Sequence, residues 1–527
     1  MKKRTLFVFL FLSGICLYAQ DPAIRGLNSI NRNVLQSQLE FLSSDWMEGR
    51  RSGERGEKLA SEYISSMLKL YGVKPWGDRI RTINLTGSND FEERSYFQQF
   101  SIVKRQPGKE QLFRIIEKDG GTSKVINLDD KIDFSINTLA DAEVEAPVIF
   151  VGFGIRNKNS GIDEVSGLSL KGKFIIRITG ITDKLTKLSP AEVTASMKEF
   201  ESYAVQQGAA GILDVDLQSQ PGSPSLQNTA AMSPAEYIPR PMDSNSRYSL
   251  PEESIVIQTL RATISIQAAN LILKGPGDKI QNYLSNPDPG RLPQLQPEEN
   301  KIIYIKTTVD RTSIPVRNVI GIIEGNKPDE IVVLGAHYDH MGMNNGYIWN
   351  GADDNGSGTV GIMTIAKALM ETGTKPEKTI IIALWTAEEQ GLFGSEYFLR
   401  TFDRPSEKII LNLNMDMISR YISDDQPNKV VMTYTSSEKS YRNITESNLR
   451  EYSIRLNVDF QPSDKPTGST DHRNFMEMNI PIMRFKPGHR EEYHTPNDET
   501  STIDWDIMEK IVRISFLNIW KIAFQVQ

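Results

Sequence analysis

Apolar residues recur along the chain with two different spacings. In "NVLQSQLEFLSSDWMEG" and "GEKLASEYISSMLKLYG" they fall three and four residues apart, the repeat of one helix face, and each stretch runs to a glycine that ends it. "SYFQQFSIV" then reads as a strand. From about 140 to 275 the runs shorten: "APVIFVGFGI" and "GKFIIRITG" are strand-like, and "ESYAVQQGAAGILDV" reads as a helix leading into a strand. A Pro/Gly/Asn/Gln-rich stretch between Gly275 and Pro297 reads as a linker. Beyond about 300, short buried-type strands ("NVIGIIEG", "EIVVLGAHYDH", "TIIIALWTAEE", "KIILNLNMDM") alternate with helices ("SGTVGIMTIAKALMETG", "GLFGSEYFLRTF"). That alternation predicts a layered α/β sheet, in which ligands sit beyond the carboxyl ends of the strands.

Length and composition refine this reading. At 527 residues the chain exceeds one ordinary core, so two or three domains are expected, and 39% hydrophobic with 24% charged residues is a globular balance. A net charge of −7 without a Lys/Arg run excludes a nucleic-acid binder. Lys2, Lys3 and Arg4 precede "LFVFLFLSGICLYAQ", which reads as a signal peptide over 1–19 cleaved after Ala19, so export to the periplasm or beyond is expected. Ile15 before Cys16 does not suit a lipobox, and no later segment is apolar enough for an integral membrane span. Cys16 is the only cysteine, so a metal site in the mature chain must use His, Asp and Glu.

The strand ends carry such residues. "GAHYDH" offers His337 and Asp339, "NGADDNGSG" offers Asp353 and Asp354, "WTAEEQG" offers Glu388 and Glu389, and "NLNMDM" offers Asp416. "YHTPND" adds Tyr493, His494, Asn497 and Asp498. Singly, each has a structural reading as a turn, a cap or a solvated charge. Jointly they do not, because the chain has only five histidines, and His337 and His494 both stand near acidic residues; His340, His472 and His489 are left to ordinary roles. Two imidazoles and three carboxylates, one bridging, suit two Zn²⁺ ions. Without metal, each pair of carboxylates at about 5 Å costs roughly 3 kcal/mol at an effective dielectric near 20. Adjacent residues of an extended segment point opposite ways, so one of Glu388 and Glu389 can coordinate metal while the other addresses a bridging water. Asp471 and His472 read as a loop cap or structural hydrogen bond. "GLSLKGKF" has Phe174 where a phosphate loop needs Ser or Thr, and neither a Gly-x-Ser-x-Gly elbow nor a His-Glu-x-x-His helix occurs.

In "HYDH", "GADDNGSG", "AEEQGLFGS", "NMDM" and "YHTPND", in this order, the chain resembles the M28 family of co-catalytic zinc peptidases, chiefly aminopeptidases. The resemblance implies a three-layer α/β/α domain with a central mixed sheet, built from 21–137 and 291–527. The segment 138–290 is similar to a smaller, β-rich α/β protease-associated (PA) insert. By position, the resemblance implies that His337 and Asp416 bind one zinc, Glu389 and His494 the other, and Asp354 bridges them. Glu388 matches the general base acting on the zinc-bridging water, Asp339 the carboxylate orienting His337, and Tyr493 a hydrogen-bond donor to the oxyanion. A cis peptide at Asp354–Asn355 is implied as well. The expected substrates are peptides with a free N-terminus. The alternatives are a carboxypeptidase, a glutaminyl cyclase or a non-catalytic binding protein on the same scaffold.

Overall fold

The computed structural model describes residues 21–82, 91–157, 161–180, 188–218, 221, 246–251, 259–287, 293–402, 408–421, 423–466, 468–488 and 490–525. The signal peptide expected over 1–19, Cys16 and His489 lie outside them. The described residues form two compact units, one comprising those up to Ser101 and from Pro315 onward, the other those between Ile102 and Ile314.

The first unit contains the end of β1 (Lys301–Ile323), β2 (Lys327–His337), β3 (Lys378–Trp385), β4 (Ile409–Met415), β5 (Lys429–Tyr434), β6 (Asn457–Pro462) and β7 (Ile482–Lys486). Their order is β6-β5-β7-β4-β2-β3-β1. β2 runs parallel to β3 and β4, β4 to β7 and β5 to β6, while β1/β3 and β5/β7 are antiparallel, so the sheet is mixed. The central strands carry mostly apolar runs, such as Ile331–Leu334 of β2 and Ile380–Trp385 of β3, because both faces are covered there. Val332, Leu334 and Ala336 of β2 and Ile380, Ile382 and Leu384 of β3 enter one apolar layer. It is shared with α1 (Pro22–Ser29), α2 (Arg32–Leu42), α3 (Arg55–Tyr71), α4 (Gly358–Glu371) and α8 (Trp505–Phe524). The intervening Ile331, Val333, Ile381, Ala383 and Trp385 enter the opposite layer with α5 (Phe393–Thr401) and α7 (His472–Glu477), α6 (Lys439–Glu451) lying between these two in sequence. This is a three-layer α/β/α fold.

α3 ends as its sequence predicts, at Gly72 with φ 84°. α2 does not run to Gly49; it stops at Leu42, and the Leu42 carbonyl is taken up by the guanidinium of Arg50 at 2.9 Å. Among the described residues no helix is long and apolar enough to cross a membrane.

In the second unit Ala142–Phe150, Phe174–Thr179, Gly211–Asp216 and Leu260–Ile264 lie side by side in parallel. Phe134–Ile136 closes one edge and Ile302–Thr307 the other, both antiparallel. The segment 138–290 thus shares its unit with strands from 102–137 and 291–314. The stretch expected as a linker between Gly275 and Pro297 contains a helix, Lys279–Ser285, because Asp278 caps it by accepting from Gln281 N and Ile280 is buried.

Candidate metal centre

Strand register converges the chemistry. Gly335 of β2 pairs with Asn414 of β4, so Asp416, just past β4, stands level with His337; on the other flank His337 pairs with Trp385 of β3. Asp354 comes from the loop opening α4. Gly358 begins that helix against the end of β4, where a Cβ would stand 2.4 Å from the Met415 carbonyl, so only glycine fits. Asn355 ties the same two elements, donating to Met415 O at 3.0 Å and accepting from Gly358 N at 3.0 Å. The Asp354–Asn355 peptide is cis.

Glu388 and Glu389 are separated differently from the alternation the sequence predicts. β3 ends at Trp385, and the chain turns at Ala387 with φ 57° before the two glutamates. Both side chains line one cleft of ≈ 720 Å³ with His337, Asp354, Asp416 and His494. The extended parity fails because the Asp339 carboxylate gathers both amides, accepting from Glu388 N at 3.2 Å and Glu389 N at 3.4 Å.

His337 Nε2 stands 3.4 Å from Asp354 Oδ1, 3.7 Å from Asp416 Oδ1 and 3.9 Å from Glu388 Oε2. Its Nδ1 lies 3.2 Å from the Asp339 carbonyl and 3.7 Å from the Asp339 carboxylate. His494 Nε2 stands 3.0 Å from Asp354 Oδ2 and 3.4 Å from Glu389 Oε2. His340, left to an ordinary role by its sequence, also reaches the site: its Nδ1 is 2.7 Å from Glu389 Oε1. Two trios therefore have donor atoms within 4.8 Å of one another, His337–Asp354–Asp416 and His340–Asp354–Glu389, and Asp354 belongs to both. The only signal for His340 was its place in "HYDH", directly after a strand end.

The remaining candidates have distinct places. The Tyr493 ring stacks on His494 with centroids 3.7 Å apart and lines the cleft. Asp498 accepts from Asp353 N at 2.8 Å and Asp354 N at 2.9 Å, fixing the Asp354 loop from behind. Asp353 turns away and accepts from Ser419. Asn497 donates its amide to Thr495. Asp471 makes no cap and instead accepts from Ser395 Oγ at 2.6 Å. Two supports come from the N-terminal segment. Buried Arg50 donates to the carbonyls of Tyr338, Asn350 and Gly351, and Ser52 Oγ donates to Asp339 at 3.0 Å while accepting from Ala387 N.

The electrostatics identify what this donor set suits. Burial raises Glu388 well above the usual carboxylate range, with Glu389, Asp471 and Asp416 adding to it against His337. Burial, then the charge of Asp354, pushes Glu389 up to about 8. Burial also opposes ionisation of Asp416, but His337, Lys486 and Arg484 outweigh it and hold that carboxyl far below its usual range. His340 is lowered to about 4 by burial and stays neutral, with its Nδ1 in hydrogen-bond contact with Glu389 Oε1. A crowd of buried oxygen and imidazole donors with excess negative charge fits divalent zinc.

Residues 318–518 match the family model for peptidase family M28. A probable leucine aminopeptidase 2 of Arthroderma benhamiae is 34% identical over 171 residues, which are 31% of this chain and 32% of that protein. A glutamate carboxypeptidase 2 homolog of Caenorhabditis elegans is 29% identical over 222 residues, 36% of this chain and 28% of that one. The chain thus spans 32% of the length of the first of these relatives. Among solved structures, an aminopeptidase from Aneurinibacillus sp. strain AM-1 shares the fold, with a TM-score of 0.53 at 18% identity, covering 96% of this chain and 97% of that one.

Proposed function

We propose, from the match of residues 318–518 to the family model for peptidase family M28, that the chain is an exported di-zinc aminopeptidase, removing N-terminal residues from peptides. The observation that carries this reading is that Asp354 stands between two donor groups, His337 with Asp416 and His494 with Glu389, with Glu388 beside them. His337 and Asp416 would hold one ion, Glu389 and His494 the other, and Asp354 both; His340 orients Glu389. Bound zinc would supply a Lewis acid for the scissile carbonyl and lower the pKa of water.

Glu388 acts as the general base. Its raised proton affinity lets it take a proton from the attacking water and pass it to the leaving amine. Asp339 holds His337 and the 388–389 amides, and the Tyr493 hydroxyl at the cleft wall donates to the developing oxyanion. The unit between Ile102 and Ile314 is a non-catalytic insert of PA type; both donor trios among the described residues lie in the other unit. The basic-then-apolar leader supports export.

A carboxypeptidase is the second reading, favoured by the likeness to the C. elegans relative. The test is metal analysis with turnover of leucyl and alanyl reporters before and after chelation. About two zinc per chain are expected, with turnover lost on stripping and restored by zinc. Cleavage of N-acetylated but not C-amidated peptides would favour the carboxypeptidase. A chain that takes up no zinc and cleaves neither would overturn both readings.

A further inference from the structure

One buried acid of the first unit has no part in the chemistry above. Glu57, on α3, is fully buried beside Tyr338, the residue that follows β2, and its Oε1 lies 2.5 Å from the Tyr338 hydroxyl. The same hydroxyl lies 2.5 Å from the backbone carbonyl of Arg317 on β1. A phenol carries one proton, so it donates to one of these oxygens and not to both. Two oxygens held this close need a proton between them. The second proton therefore belongs to Glu57: its carboxylic O–H donates to Tyr338 Oη, and the Tyr338 O–H donates to the Arg317 carbonyl.

The surroundings agree. Glu57 Oε2 has no hydrogen-bond partner among the described residues, which suits a neutral carbonyl oxygen and not a charged one. Arg317 faces Glu57 from β1, but its guanidinium donates to Ser61, the Lys58 carbonyl and Glu62. Thr386 donates its hydroxyl to Ser52 Oγ at 3.2 Å, and Asp339 adds only repulsion. Burial, opposed by Tyr338 and Arg317, raises the Glu57 carboxyl to about 7.

Tyr338 stands between two residues of the metal centre. Its side chain enters the apolar layer of Val332, Leu334 and Ala336, while His337 on one side lines the cleft and Asp339 on the other holds the 388–389 amides. The Tyr338 amide donates to the Trp385 carbonyl at 2.8 Å, and its carbonyl accepts from Arg50 Nε at 2.8 Å. The hydroxyl is the remaining polar anchor of this residue, and Glu57 completes it.

We infer that protonated Glu57 is a positioning residue for the zinc centre: with Tyr338 and the Arg317 carbonyl it forms a clamp of two ordered protons that fixes the backbone between His337 and Asp339. This rests on the zinc-peptidase reading. Loss of the Glu57 proton leaves one proton for two close contacts and opens the clamp.

Difference infrared spectroscopy of the zinc-loaded chain tests the proton directly. At about pH 6, below the raised value, the parent-minus-Glu57→Gln spectrum should contain the C=O stretch of a carboxylic acid and no carboxylate bands. Chelator competition tests the clamp, read per folded chain. Glu57→Ala and Tyr338→Phe should each weaken zinc retention about 10-fold. Glu57→Gln, whose amide N–H replaces the acid proton, should recover most of that loss. At about pH 8 the parent should fall behind Glu57→Gln, and the ratio of the two at one pH cancels proton competition at the zinc ligands. Four results would each overturn the clamp and leave the peptidase reading standing: carboxylate bands from Glu57 at the lower pH, Glu57→Gln retaining zinc no better than Glu57→Ala, a parent-to-Gln ratio equal at both pH values, or Tyr338→Phe retaining zinc like the parent. A folded parent that takes up no zinc would sink the peptidase reading itself.

Discussion

Each unit gathers a cluster of charge around buried groups, in the second unit Arg177 and Asp214, and the two clusters end differently. In the second unit Arg177 meets Asp214 at 2.6 Å and Glu201 at 2.7 Å, and Arg261 meets the same two carboxylates at 2.8 and 3.1 Å. Two cations and two anions alternate in a closed ring, with Arg177 also lying over Phe200. In the first unit Asp354, Glu388, Glu389 and Asp416 crowd around imidazoles, and burial drives Glu388 and Glu389 towards protonation. Burial alone therefore does not mark a functional site. The ring neutralises itself and calls for no ligand, whereas the carboxylate crowd reaches neutrality only with an added cation.

Four substitutions sharpen that contrast. Glu388→Gln should retain zinc yet lower kcat by about 10²–10⁴-fold, read from turnover of a leucyl anilide beside metal analysis. A rate equal to that of the parent would remove Glu388 from the mechanism. Asp214→Ala opens the closed ring and leaves both guanidinium groups short of an acceptor. It should destabilise its unit by about 3–5 kcal/mol, measured by denaturant unfolding, with zinc content per folded chain unchanged.

Glu57 gives a pH handle. Burial pushes its carboxyl up to about 7 even though Tyr338 Oη donates to its ionised form. Because the folded value is raised, its stabilising contribution is complete below the unfolded value near 4.3 and is lost as pH rises through about 7. Glu57→Gln should therefore flatten the difference in unfolding free energy between pH 4.5 and 7.5 by roughly 3 kcal/mol; parallel profiles for parent and variant would refute the shift. Ser52→Ala has the smallest expected effect. It removes a donor to Asp339 and an acceptor for Ala387 N, and should weaken zinc retention about 10-fold in a chelator titration.

Much of the first unit was legible in its sequence, because strands covered on both faces leave uninterrupted apolar runs, and polar residues at their ends stand out against them. His337, Asp354, Glu388, Glu389, Asp416 and His494 are brought together at those ends. Other features depend on contacts that no local pattern encodes. Arg50 works through a carbonyl 288 residues away and Ser52 through a carboxylate 287 residues away. His340 carries no mark distinguishing it from a structural histidine until Glu389 is folded against it. The alternation expected of Glu388 and Glu389 fails because the chain turns at Ala387 and the Glu388 amide is held by Asp339, which lies on another strand end. The helix at Lys279–Ser285 was hidden by its Pro/Gly-rich flanks, although Asp278 is a good cap.

The level alignment of His337 with Asp416 makes the sheet a ruler for the ion trios. Deleting one residue from β4 would carry Asp416 to the opposite side of the pleat, into an apolar layer, while every side chain stayed chemically the same. Connections such as the hairpin Gly342–Asn344/Tyr347–Trp349 are not gauged in this way. Tolerance to insertion should therefore be sharply uneven along the chain, near zero between Ile331 and His337 and between Leu411 and Asp416, and generous at the turn around Asn345 and Gly346.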